Sequence, residues 1–248
     1  MGPGALSPPD PHQQPPGRRR HVSLLAVCGL LREAALIASP EVTPAVGGGR
    51  RARLESILSQ AGPAEAVISI GLAGALDPTL SPGDWVVASE VVGDGETWPT
   101  DPRWTEALAA RLAPRGLGRI LGGDVMLLSA AEKQAARARW NALAVDMESH
   151  LAARAAARLG APFTAIRVVS DGAQRNLPAA VRVGLNPDGT MALGPVLASL
   201  ARDLRQLPGL IRTGREAELA FRALGDGRRL LGPRIGLPDL GQLPLDVA

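Results

Sequence analysis

The sequence predicts an α/β fold: a single-domain, three-layer α/β/α arrangement around a central mixed, mostly parallel, twisted sheet. Three observations predict it. Short apolar and β-branched runs alternate with helix-period segments along the 248 residues, a pattern that argues for a sheet covered on both faces. That length is enough to bury one full core. Lone acids also stand where apolar runs end, and ligands in such sheets bind beyond the carboxyl ends of the strands.

The elements follow in order. Residues 1–20, rich in Pro and polar side chains, read as a disordered tail. Residues 22–28 form a short apolar strand, and 29–38 a loop and helix. The run Gly47-Gly48-Gly49 precedes a helix over 50–60. Residues 66–70 are a second strand, leading directly into the Gly-rich turn Gly71-Leu72-Ala73-Gly74. The turn Ser81-Pro82-Gly83 opens a β-branched strand over 84–92. A helix covers 105–112, a strand lies within 118–128, a helix spans 131–140 and a short strand 142–145. The Ala-rich helix over 148–159 stops at Gly160, a frequent terminator. Residues 163–169 make the last core strand. Amphipathic helices follow over 195–206 and 210–224, and after Gly225 the chain turns Pro- and Gly-rich again. The expected organisation is therefore a tail over 1–20, one α/β domain over 21–225 that includes the C-terminal helices, and a tail over 226–248.

Composition narrows the function classes. Apolar residues make up 46% and aromatics only 2%, so Ala, Leu, Val and Ile must build the core. Of 27 basic residues, Lys133 is the only lysine, and the net charge is +3. The arginines are scattered among Asp and Glu rather than gathered in a stripe with stacking aromatics, which argues against a nucleic-acid binder. A single cysteine rules out an intrachain disulfide framework; Cys28, inside an apolar run, reads as a small core residue. No apolar stretch reaches the ~20 residues of a membrane span. The basic N-terminal segment lacks a following apolar core of targeting length, because Glu33 interrupts it. The expected location is cytoplasmic.

Candidate chemistry gathers at strand ends. A Gly-rich turn such as Gly71-Leu72-Ala73-Gly74 lets backbone approach a ligand, although as an isolated motif it reads better as a plain tight turn. Glu33 follows the first strand, Glu148 begins a helix after Ala144-Val145-Asp146-Met147, and Asp171 closes Ile166-Arg167-Val168-Val169-Ser170. Each acid alone has a plain structural reading as a helix first-turn residue or a turn cap. Three acids at three strand exits are better explained by one site assembled from strand ends. Ser149 and His150 follow Glu148 directly, and successive helix residues cannot all face one ligand. His150 reads as packed, and His12 and His21 lie in or beside the tail. The sequence therefore offers no catalytic triad and no metal centre.

Taken in order, several of these segments resemble the nucleoside phosphorylase and nucleosidase family, which includes purine and uridine phosphorylases and methylthioadenosine nucleosidase. The match runs from about residue 23 to 171 through Glu33, Gly71-Leu72-Ala73-Gly74 with Pro82-Gly83-Asp84, Gly122-Gly123-Asp124, Val145-Asp146-Met147-Glu148 and Ser170-Asp171. The wording from Ala144 to His150, the Gly47–Gly49 run and the extended C-terminus look most like the hopanoid-associated branch. That branch implies removal of adenine from adenosylhopane. The resemblance implies Asp171 as the general acid at the purine, beside Ser170, and Glu33 as the acid that activates water. It implies Glu148 as an ionised carboxylate accepting both ribose hydroxyls, Met147 under the sugar, and Met126 and Leu127 against the base. Ala73 and Gly74 would line base and ribose through their backbone. Where phosphorylases of this family carry an Arg and a Ser, this chain has Ser69 and Leu72, with Arg32, Arg50 or Arg167 as possible replacements. Phosphate as co-substrate, implied by the branch, is the preferred nucleophile, with water, implied by Glu33, as the alternative; no cofactor is implied. Other readings are a methylthioadenosine/S-adenosylhomocysteine-type nucleosidase and a non-catalytic nucleoside-binding protein. The family further implies a homo-oligomer. The Arg-rich C-terminal helices read as a covering pair with dimer contacts or, for a lipid-linked nucleoside, as a peripheral membrane contact.

Overall fold

The computed structural model describes residues 24–181 and 193–239. The expected tail over 1–20 lies outside the described residues. Among them run eight strands and seven helices. The strands are β1 (Leu24–Cys28), β2 (Val42–Val46), β3 (Ala66–Ala75), β4 (Trp85–Gly93), β5 (Glu96–Pro99), β6 (Gly116–Gly122), β7 (Ala142–Asp146) and β8 (Phe163–Asp171). The helices are α1 (Leu31–Ile37), α2 (Arg51–Ser59), α3 (Pro102–Leu112), α4 (Ala130–Trp140), α5 (Ser149–Leu159), α6 (Leu193–Arg202) and α7 (Leu207–Leu231).

The sheet is mixed and mostly parallel, as the alternating pattern predicts. β1 pairs in parallel with β2 and β3, and β3 with β8; β4 pairs in parallel with β6, and β6 with β7. The β3–β7, β4–β5 and β4–β8 ladders are antiparallel. One consequence is topological: β3, β8, β4, β6 and β7 pair successively and return to β3 through Gly74 opposite Val145. The central strands thus form a closed circuit, and β2 and β5 are left as edges. Both edges contain a proline, Pro44 and Pro99, which an edge tolerates because no ladder donor is needed there.

Apolar periodicity sends helices to both faces. Leu54 and Leu58 of α2 pack with Leu151, Ala152, Ala155 and Ala156 of α5 on one side. Ile37 of α1, Trp104 and Leu108 of α3, and Ala220, Leu224 and Leu231 of α7 pack on the other. With so few aromatics, Trp104 stands out as a fully buried ring whose indole N–H donates to the Ile235 carbonyl at 3.1 Å.

Three expectations need correction. The Gly-rich turn after residue 70 is not a turn: β3 runs on through Gly71–Gly74 to Ala75, with its register against β8 shifting between Ala73 and Gly74. Pairing on β8 and β7 overrides the turn preference of glycine. Strands β2 and β5 are missing from the expected elements; each is at most five residues long and contains a proline, which hides the strand pattern. The C-terminal helix does not end at Gly225, and the chain beyond it is not a tail up to residue 239. α7 continues to Leu231, and Ile235 and Leu237 then enter the core. Gly227 is there for packing rather than as a stop, since a Cβ would lie 2.3 Å from Trp85 Cζ2. The helix needs a residue without a side chain to pack on that indole.

Candidate active site

β1 ends at Cys28, and the chain turns through Gly29 and Leu30 into α1, placing Glu33 in the first helical turn. Its carboxylate is buried and accepts three backbone hydrogen bonds. Oε2 accepts from the Gly29 and Leu30 N–H groups at 2.9 and 2.8 Å, and Oε1 accepts from Leu72 N–H at 2.8 Å. The last bond ties α1 to β3. It requires Gly71, because a Cβ there would lie 2.6 Å from Glu33 Oε1. Burial raises the Glu33 carboxyl above its ordinary value, opposed by those amides and by the Arg167 charge.

β7 delivers the next two acids. Asp146 Oδ1 accepts from the N–H groups of Glu148 and Ser149, both at 2.7 Å, and so closes the start of α5. Its other oxygen lies 2.9 Å from Arg167 Nε, both side chains being about 1% exposed. Burial pushes the Glu148 carboxyl up to about 8; the Asp146 charge adds to the rise and Arg167 opposes it. Burial thus favours the protonated form near neutral pH, whereas the resemblance implies the ionised carboxylate with the ribose hydroxyls. Arg167 is the buried cation beneath this group of acids, with its guanidinium 2.5 Å from Ser69 Oγ and 3.0 Å from the Ile166 carbonyl.

Asp171 ends β8. Oδ1 is 2.9 Å from the Ser170 hydroxyl, which also lies 3.1 Å from the Ala73 carbonyl. Oδ2 accepts from the ammonium of Lys133, a fully buried residue of α4.

One cavity of about 480 Å³ collects all nine site residues expected from the sequence: Glu33, Ala73, Gly74, Met126, Leu127, Met147, Glu148, Ser170 and Asp171. That volume falls in the range of small-molecule sites. Part of the lining is largely apolar and comes from the chain after β8, including Leu177, Ala180, Leu210, Ala217 and Phe221. Among the described residues, no Arg or Lys side chain lines this cavity. Sequence reasoning missed Lys133 and gave Asp146 no role of its own. Arg167 it placed only among possible phosphate ligands, whereas it is committed to Asp146 and Ser69.

His150 is packed, as expected. Its Nε2 lies 3.1 Å from Asp124 Oδ1, and Asp94, Asp124 and His150 present ligand-type atoms within 4.8 Å of one another. The positive charge at that cluster is already supplied by Arg51, at 2.6 Å from Asp124 and 3.0 Å from Asp94.

Strand-end carboxylates around one cavity on a mixed α/β sheet define a class of small-molecule enzymes, and sequence comparison gives the family: the chain belongs to the phosphorylase superfamily, whose sequence model matches residues 5–185. A curated relative, 5′-methylthioadenosine/S-adenosylhomocysteine nucleosidase of Staphylococcus epidermidis, is 31% identical over 129 residues, covering 43% of this chain and 57% of the relative. The match thus spans little more than half of that relative's length. Among solved structures, the nucleosidase of the same name from Neisseria meningitidis, in complex with methylthio-immucillin-A, aligns with TM-score 0.62 and 18% identity. It covers 86% of this chain and 99% of its own. Futalosine hydrolase of Helicobacter pylori aligns with TM-score 0.62 and 15% identity over 85% of this chain and 97% of its own. At these identities the likeness is one of fold. No described helix is long and apolar enough to cross a membrane.

Proposed function

We propose that this protein hydrolyses the N-glycosidic bond of an adenine nucleoside. The observation that carries the reading is the convergence of Glu33, Glu148 and Asp171 on one cavity. Breaking the bond builds positive charge on the anomeric carbon and negative charge on the departing base. Asp171, at the strand end, is the acid that protonates the base. Glu148 takes the ribose hydroxyls and steadies the cationic sugar once ionised. Glu33, held rigidly by three backbone amides, is the base for water. Met147 packs under the sugar, Met126 and Leu127 lie against the base, and Ala73, Gly74 and Ser170 supply the remaining contacts. The chemistry needs no cofactor.

Water is favoured over phosphate by electrostatics. A phosphate dianion would enter a cavity walled by three acids with no lining Arg or Lys among the described residues, whereas water carries no such penalty. The names of the relatives favour 5′-methylthioadenosine or S-adenosylhomocysteine as substrate. A second reading, a hopane-linked adenosine, is supported by the apolar wall of Leu177, Ala180, Leu210, Ala217 and Phe221. A chromatographic assay of adenine release from methylthioadenosine, S-adenosylhomocysteine and adenosylhopane, each with and without phosphate, tests both. Adenine with free methylthioribose, at a rate unchanged by phosphate, is expected. Sugar 1-phosphate as the product would establish phosphorolysis instead, and no adenine from any of the three would end the glycosidic reading.

A further inference from the structure

Lys133 is the only lysine among 27 basic residues, and it is fully buried in α4 behind the cavity wall. Its ammonium donates to Asp171 Oδ2, to the Gly172 carbonyl at 2.9 Å and to the Arg175 carbonyl at 3.3 Å. These acceptors engage all three N–H bonds an ammonium has. The charged groups beside the pair in sequence are committed elsewhere: Glu132 to the Ser129 N–H and hydroxyl, and Arg175 to Glu216 at 3.2 Å. The chain uses arginine at every other basic position, and the exception is chemically informative. A guanidinium does not give up a proton in a protein, whereas a buried ammonium can. An ammonium–carboxylate pair and an amine–carboxylic acid pair differ only in which partner holds one proton.

We propose that the proton delivered to the leaving purine belongs to the Lys133–Asp171 pair, with Asp171 touching the base and Lys133 acting as the positioning residue that recharges it. This rests on the reading of the cavity as a nucleoside hydrolase. The Lys133 ammonium passes a proton to the Asp171 carboxylate, the C1′–N9 bond breaks with its electron pair going to the purine, and the purine takes that proton from Asp171. Water adds to C1′ and gives its proton to Glu33. Lys133 is then neutral and Glu33 protonated, and proton exchange with solvent restores both. One water is consumed and no net proton.

The test compares leaving groups in Lys133→Arg, which keeps the charge but cannot release a proton, and Lys133→Met. On a purine nucleoside, kcat is expected to fall about 10²–10⁴-fold in both variants, with KM within about threefold of the parent protein. On p-nitrophenyl β-ribofuranoside, whose leaving group departs as a stable anion, kcat/KM is expected to stay within about threefold. Equal losses on both substrates, or full activity of Lys133→Arg on the purine nucleoside, would overturn the proposal. Should neither variant fold, the unsubstituted chain grown on [ε-¹³C]lysine gives one Cε resonance for its single lysine. That resonance should move along the alkaline limb of kcat/KM for the purine nucleoside; a resonance held at its ammonium position through that limb overturns the proposal as well. A parent protein that cleaves no nucleoside would fail the glycosidic reading separately.

Discussion

The Glu148 carboxyl, raised to about 8 by burial against an ordinary value of 4.5, links function to stability. Between those values the folded chain holds a proton that the unfolded chain releases. Stability is therefore lost as pH rises through that window, by up to about 1.4 kcal/mol per pH unit. Glu148→Gln removes the ionisation, so its melting temperature should exceed that of the parent at pH 8–9, and the difference should vanish near pH 4. Turnover should fall about 10²-fold or more, because an amide cannot supply the charge that steadies the sugar. Asp171→Asn tests the neighbouring acid: kcat is expected to drop about 10²–10⁴-fold in steady-state assays, and a loss below about threefold would remove Asp171 from that role. The three carboxylates were legible in the sequence because each stands at the exit of an apolar run, where a sheet builds its sites. Lys133 and Arg167 were not. Glu132 and Gln134 flank Lys133, so its surroundings read as a solvated helix face, and burial of its charge depends on where β8 ends in space.

At the level of single elements, glycines carry much of the specification. Gly71→Ala would set a methyl group 2.6 Å from Glu33 Oε1. The carboxylate is fixed by backbone amides, so it cannot give way freely. A loss of about 1–3 kcal/mol is expected, with lower activity because Glu33 is displaced, read by denaturant melts and kcat together. Gly227→Ala offers the opposite lesson. Ala is the better helix former by about 1 kcal/mol, yet a Cβ 2.3 Å from Trp85 Cζ2 should make the variant less stable by about 1–3 kcal/mol. Helix α7 shows why local reading stopped short. Gly225 and Gly227 look like terminators, and only contact with Trp85 and the core keeps the helix going. The same holds for β3, where ladders on β8 and β7 turn a glycine-rich stretch into strand.

For the molecule as a whole, the closed circuit of β3, β8, β4, β6 and β7 separates two kinds of backbone. Strands in the circuit have partners on both sides, while β2 and β5 have one each. Amide hydrogen exchange should reflect this: central positions such as Ile68, Val87 and Ile166 should exchange only through global opening, and β2 and β5 through local opening. Comparable exchange in all strands would contradict that division. The alternation of elements made the mixed, mostly parallel sheet readable in advance. Closure of the strands was not readable, because it turns on two residue pairs, Gly74 with Val145 and Ala75 with Ala144, at the very end of a strand. The chain has four tryptophans and no tyrosine, and two of those indoles, Trp85 and Trp104, touch the segment from Gly227 to Ile235. Ultraviolet emission is therefore a built-in gauge of whether the carboxyl-terminal end is seated: cutting the chain after residue 225 should shift the spectrum to the red even where the remaining backbone keeps its far-ultraviolet dichroism.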